Sequence, residues 1–233
     1  MFTCMVWLRE TDSTQEVLKK GDFPYGTVVV ADLQKKGKGR KGKRWESQEG
    51  GLYFSFVLSA KNFREVMQVP LVAGLSVSEA LNSFGIPTFL KWPNDVYLKG
   101  RKVSGILTEK VGEKIVVGIG VNVNQKEFPE TVKDTAISLR QVLGRDLDRV
   151  SVLTAILGRL EKNLILFSKE GFLPFKERIE EKLIFKGEEV VLLSERPEVG
   201  ILLGIDERGF LLLRTSEGVK RITSGEISLR LVK

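Results

Sequence analysis

Lysine and arginine gather where glycine does: residues 35 to 45 read KKGKGRKGKRW, seven cations and no acid. The whole chain carries 37 basic and 30 acidic residues, a net of +7, so without this segment 30 of each remain. The excess charge is therefore local, the footprint of an anion site rather than of a uniformly basic surface. Gly37, Gly39 and Gly42 let backbone amides come close to an anion, and the cations supply the field. Trp45 ends the segment, where an aromatic ring can stack on a base. Seven like charges with no ligand repel one another and oppose a fixed conformation.

Two familiar phosphate-binding patterns overlap this segment, and neither survives its context. Gly37 to Gly42 fits G-x-G-x-x-G, and Gly37 to Lys43 fits G-x-x-x-x-G-K. Arg44 stands where the second pattern needs a hydroxyl for Mg²⁺, and both require a helix to follow directly. The residues that follow Trp45 are the polar ESQEGG. A Walker or Rossmann site is excluded on that ground.

Three further strings carry chemistry. Lys91-Trp92-Pro93-Asn94-Asp95 sets a cation and a carboxylate around a proline bend, although the same residues are ordinary turn chemistry. Lys102 opens a strand that contains Gly105, and Gly118 and Gly120 alternate along another that leads to Asn122. A glycine within a strand marks close approach of a ligand, or else a bulge or tight backbone packing. Both readings stand at this level; the first makes a narrow slot for a thin substrate. The chain has no histidine and one cysteine, Cys4. Histidine bases, Ser-His-Asp and Cys-His systems, internal disulfides and Cys-rich or His-ligated metal sites are all excluded. No metal ligands are expected from the protein. Catalysis falls to lysine, arginine, carboxylates, hydroxyls, backbone amides or a bound hard cation.

These residues need elements to hold them. Residues 13 to 20 begin with hydroxyl caps and stop at Gly21, which predicts a short helix. Strands are expected at 27 to 33, 52 to 59, 88 to 91, 95 to 99, 103 to 110 and 114 to 121, with a hairpin turn at Lys99-Gly100-Arg101. Helical spacing predicts helices over 70 to 84, 149 to 168 and about 172 to 182. The longest carries Val152, Leu153, Ile156, Leu157, Leu160 and Leu164 on one face. From 188 to 232 five short strands are expected, separated by turns at Glu195-Arg196-Pro197, Asp206 to Gly209, Ser216-Glu217-Gly218 and Ser224-Gly225. The fold expected is α+β: a mixed or antiparallel sheet with helices on one side over 1–185, and a small β-barrel over 186–233.

Taken in order, Asp12-Ser13-Thr14, Gln34 with the GKGRKGKRW segment, Lys91 to Asp95, Lys102 to Leu107 and Gly118 to Asn122 resemble the successive motifs of the biotin protein ligases. The resemblance spans 6 to 124, and the β-rich tail is similar to that family's C-terminal domain. It implies a class II synthetase-like catalytic domain, an SH3-like barrel, and two steps. Biotin and ATP, with Mg²⁺, would give biotinyl-5′-AMP and pyrophosphate; a lysine of a biotin carboxyl carrier protein would then take the biotinyl group. It implies that Ser13, Thr14, Gln15 and Gln34 bind the ureido ring. Gly37, Lys38, Gly39 and Arg40 would cover biotin and the phosphates, while Gly105, Gly118 and Gly120 line the slot. Lys102 would bridge carboxylate and α-phosphate, and Asp95 would act on the incoming amine, making Lys102, Arg40 and Asp95 the catalytic set. Trp45, Lys91, Asn94 and Asn122 would attend the nucleotide.

The chain departs from the family pattern where Lys38, Lys41 and Lys43 replace arginines, keeping charge but losing the bidentate fork. Asp12 comes so early that no DNA-reading helix-turn-helix is expected before it, hence no sequence-specific DNA partner. A homodimer is compatible with the resemblance. No run approaches the roughly 18 apolar residues of a membrane span, and the first residues lack a secretion signal, so a cytoplasmic protein is expected. Lipoate protein ligase and a nucleic-acid-binding module are the alternatives.

Overall fold

The structure is a computed structural model that describes residues 1–63, 65–193, 197–223 and 228–231. Its larger sheet has seven strands: β1 (Cys4–Thr11), β2 (Thr27–Gln34), β3 (Leu52–Ser59), β4 (Phe89–Lys91), β5 (Asp95–Leu98), β6 (Arg101–Val111) and β7 (Lys114–Val121). They lie in the order β1-β2-β3-β7-β6-β5-β4. Only β1 and β2 run parallel; the other pairs are antiparallel, so the sheet is mixed. β1 has no counterpart among the expected elements. Its apolar run from Cys4 to Leu8 lacks alternation, and the strand sits at the edge, half exposed.

Alternation divides the two faces of this sheet. Val28, Val30, Phe54, Phe56, Val117 and Ile119 enter the main core, whereas Val29, Val57 and Val116 meet Leu18 on the other side. Leu18 belongs to α1 (Thr14–Lys20). The main core is covered by α2 (Val69–Asn82), which is buried nearly all round because it lies between the sheet and α4 (Arg149–Glu170). Asp148 caps α4 by accepting from the amides of Val150 and Ser151. α5 (Leu173–Glu180) packs beside them. The long helices thus share one face as expected, and the short α1 alone takes the opposite one. α3 (Leu139–Leu143), not anticipated, opens with a Ser138/Gln141 capping box.

A second, antiparallel sheet joins β8 (Glu189–Leu193), β9 (Glu198–Ile205), β10 (Leu211–Thr215), β11 (Gly218–Ile222) and β12 (Ser228–Leu231) in the order β11-β10-β9-β8-β12. These are the five expected strands. The turns expected at Glu195-Arg196 and Ser224-Gly225 lie outside the described residues. Val190, Leu202, Leu211 and Leu213 join the same apolar cluster as the first sheet. The seam is stitched by Trp92 Nε1, which donates to Gly209 O at 3.0 Å, and by Gln68 Nε2, which donates to Arg208 O at 2.9 Å. Among the described residues no helix is long and apolar enough to cross a membrane.

Candidate functional site

The α1 face of the larger sheet opens into a cleft of about 550 Å³. Its inner end is polar. Ser13 ends the chain's approach in extended conformation and Thr14 starts α1, so the Thr14 amide is free of helical partners and donates to Gln34 Oε1 at 2.9 Å. Thr14 Oγ1 is 2.7 Å from Ser55 Oγ, and Gln34 Nε2 donates to Ser47 Oγ at 2.9 Å. Gln15 Nε2 reaches the carbonyls of Val116 and Leu107 at 3.3 and 3.4 Å. Its Oε1 rests on Gly118, where an added Cβ would approach to 2.6 Å. The four expected ring-binding residues therefore converge, and Ser55, which sequence did not single out, joins them.

Further out the cleft narrows over Gly105 and Gly120, and Trp45 lies on both. A Cβ at Gly120 would come within 2.3 Å of Trp45 Nε1, and one at Gly105 within 2.9 Å of Cζ3. What closes on these two strand glycines is the chain's own Trp45 ring, which is tight packing rather than the approach of a ligand. Trp45 Nε1 is buried against Gly120 with no hydrogen-bond partner among the described residues. Lys102 Nζ stands 5.1 Å from the centre of the same ring.

A bulge aims Lys102 there. Residues three apart in an unbroken strand face opposite sides. Pairing of β5 with β6 steps from Val96↔Ser104 to Tyr97↔Lys102, making Val103 the extra residue. Lys102 consequently shares the side of Gly105, while Val103 is buried in the core. Lys102 Nζ is 2.6 Å from Asp95 Oδ1, an ion pair by distance that lacks hydrogen-bond alignment. Asn122 is nearly buried; its Nδ2 donates to Lys102 O at 3.3 Å, and its Oδ1 accepts from Gln125 Nε2 at 3.3 Å. It holds the strand under the lysine.

The basic segment folds as a short hairpin across the cleft mouth. Trp45 N donates to Gly37 O, Gly39 N to Lys43 O and Lys43 N to Arg40 O, at 2.9, 2.7 and 3.1 Å. Lys41 and Gly42 take positive φ at its turn, costly for the lysine and natural for the glycine. The expected self-repulsion is met by acids: Lys35 pairs with Glu10, Lys36 with Asp12, Lys38 with Glu16 and Arg44 with Glu46. Arg40 Nη1 donates to Asn94 Oδ1 at 3.1 Å. Burial lowers its guanidinium from the ordinary value, and the nearby Asp95 carboxylate acts the other way. Lys41 and Lys43 line the cleft and have no carboxylate partner among the described residues.

Two expected site residues stand apart. Lys91 Nζ lies 3.3 Å from Tyr97 Oη and over the Tyr97 and Phe185 rings, away from the cleft lining. Its neighbour Trp92 faces the seam with the second sheet, so of that string only Asn94 and Asp95 reach the cleft. Gly37 is also outside the lining: a Cβ there would meet Ser47 Oγ at 2.4 Å and Trp45 O at 2.5 Å, so it serves the base of the hairpin. Conversely, Phe128, Thr131, Val132, Thr135 and Ala136 form an outer wall that sequence reasoning missed. They come from an irregular segment with no motif. It is fastened by backbone bonds from Lys102 N to Thr135 O and from Ile137 N to Lys102 O, at 2.8 and 3.0 Å.

Among the described residues, Glu46 and Asp95 are the only carboxylates lining the cleft, and no group of three or more potential metal ligands occurs. That donor set suits a Mg²⁺ ion carried on nucleotide phosphates, not one caged by protein.

Residues 7–125 match the biotin/lipoate A/B protein ligase family, and 185–230 match the biotin protein ligase C-terminal domain. The bifunctional ligase/repressor BirA of Bacillus subtilis is 38% identical, over 95% of this chain and 72% of that one. A biotin–[acetyl-CoA-carboxylase] ligase of Paracoccus denitrificans is 31% identical, over 94% and 98%. The chain superposes on a biotin protein ligase from Aquifex aeolicus, solved with biotin and ATP, with a TM-score of 0.95. The two are 52% identical over 99% of this chain and all of that one.

Proposed function

Since the chain belongs to the biotin protein ligase family, we propose that it activates biotin with ATP and transfers it to a lysine of a biotin carboxyl carrier protein of acetyl-CoA carboxylase. One observation carries the reading: a polar end, a slot thinned by glycine and a fixed lysine lie in line within one cleft. The ureido ring has donors and acceptors in Thr14, Gln15, Gln34 and Ser55, and the chain and carboxylate run past Gly118 and along the Trp45 ring that covers Gly120 and Gly105, to Lys102.

In the first step a carboxylate oxygen of biotin attacks the α-phosphorus, the bond to the bridging oxygen breaks, and pyrophosphate leaves. Two anions must approach each other. Lys102 stands between them, and Arg40 adds a second cation from the hairpin. Lys41 and Lys43, unneutralised by the fold, are the cations left for the departing phosphates. Glu46 and Asp95 are the cleft carboxylates that would hold a Mg²⁺ ion brought in on the nucleotide, and such an ion would supply charge neutralisation at the phosphates. In the second step an amine attacks the acyl carbon and AMP leaves. The amine must lose a proton, and Asp95 is the carboxylate at hand. A substrate anion on Lys102 draws the lysine from Asp95 and leaves that carboxylate able to accept. The hairpin, with Trp45, excludes water from the labile mixed anhydride. ATP and carrier meet in the cytoplasm, where this reading puts the activity.

Biotin-dependent exchange of label between pyrophosphate and ATP tests the proposal directly. Exchange with biotin is expected; exchange with lipoate in its place would move the assignment to the other branch of the matched family. Its absence with both would overturn the adenylation chemistry.

A further inference from the structure

Four charged side chains outside the polar end alternate in sign between β6 and the hairpin. Lys19 Nζ is 3.2 Å from Glu109 Oε1 on β6 and 2.9 Å from Glu16 Oε1 on its own helix. The same Glu16 oxygen is 2.7 Å from Lys38 Nζ on the hairpin. Glu16 directly follows Gln15, and its side chain is only 22% exposed. Its two ammonium donors hold its carboxyl down at about 2. The hairpin's other ties to acids are Lys35–Glu10 and Lys36–Asp12 at its base and Arg44–Glu46 on its returning arm, all more exposed than Lys38–Glu16. Among the ion pairs of the described residues, Glu16 is the acid that ties the hairpin past Gly37 to a different element, α1.

We propose that Glu16 is a positioning residue of the adenylation site, the centre of a clasp that fastens the Lys38 arm to the helix carrying Thr14 and Gln15 and so keeps the hairpin closed over the bound intermediate. This rests on the adenylation reading above. The clasp ties the lid to the element that grips the substrate's ring, so ring binding and closure support each other. Glu16 touches no reacting atom, and its loss acts on retention rather than on chemistry. Salt, not pH, is the lever. A carboxyl held low gives its full contribution above the ordinary value near 4.5 and loses it only as pH falls towards 2. Partly exposed pairs, by contrast, are screened by salt.

The test compares wild type with Glu16→Gln by the rate at which preformed, labelled biotinyl-adenylate escapes when chased with unlabelled biotin and ATP. Escape should quicken about fivefold, the worth of one partly exposed ion pair. Single-turnover adenylation at saturating substrates should stay within about twofold, and the melting temperature should barely move. Raising salt should speed escape from wild type but not from the variant. In Lys38→Gln, adding Glu16→Gln should change escape no further. If wild type forms no adenylate, the underlying reading fails. If it does, and Glu16→Gln retains the adenylate as long with the same salt response, the clasp is refuted. A variant that slows adenylation and lowers melting together without faster escape also refutes it, because Glu16 is then merely structural.

Discussion

Phe54 and Ser55 are neighbours on β3, both fully buried, and belong to different parts of the molecule. Phe54 faces α2 and the large apolar cluster; Ser55 faces α1 and bonds Thr14. Along β7 the same alternation puts Val117 and Ile119 into that cluster and lays Gly118 and Gly120 against Gln15 and Trp45. One sheet face is packed with large apolar groups to supply stability. The other is kept small and polar, which leaves room for a substrate and exposes backbone to it. Stability and chemistry are thus separated by the pleat, one residue at a time, and perturbing each face should register in a different measurement.

The largest effect is expected on the core face. Phe54→Ala should cost about 4 kcal/mol of stability, as loss of a buried aromatic ring does. Adenylation per folded molecule should stay near normal. A collapse of adenylation at unchanged melting temperature would break the division between the faces.

Next comes Lys102→Ala, the mirror case. Removing the cation between two anions should raise the adenylation barrier by about 3 kcal/mol, a hundredfold in rate. Melting should shift little, because the Lys102–Asp95 pair is partly solvated. Near-normal adenylate synthesis at saturating biotin and ATP would pass the bridging role to Arg40.

The smallest effect sharpens the comparison. Gly118→Ala puts a methyl 2.6 Å from Gln15 Oε1, the far end of a flexible side chain that can swing aside. Its two long bonds to backbone carbonyls would be lost, raising the KM for biotin about tenfold. kcat and melting should hardly change. An equal loss of kcat would mean that the face acts as one rigid unit rather than as separate subsites.

Much of this was legible in the chain. Strands β2, β3, β6 and β7 were legible as runs of β-branched and apolar residues, and the two long helices as apolar residues at helical spacing. The gathering of Ser13, Thr14, Gln15 and Gln34 with Gly105, Gly118 and Gly120 was readable through the resemblance alone. No local rule brings residue 14 to residue 55. The capping box of α3 was a readable signal that a five-residue helix made easy to pass over. Lys91 and Gly37 show the opposite error, since a motif contains residues that support the site without facing it.

The sequence by itself determined the mixed fold, the β-rich tail, the exclusion of histidine and Cys/His-metal chemistry, and a cluster of seven cations at 35 to 45, because composition and period are local quantities. Only the tertiary structure decided how that cluster is built into a site. Whether seven cations repel or fold depends on acids at 10, 12, 16 and 46, most of them on other elements. Which way Lys102 points depends on a register slip against β5. What lies over the strand glycines depends on the hairpin that delivers Trp45. Each of these is set by pairing between segments distant in sequence, whose energy exists only once the chain has closed on itself.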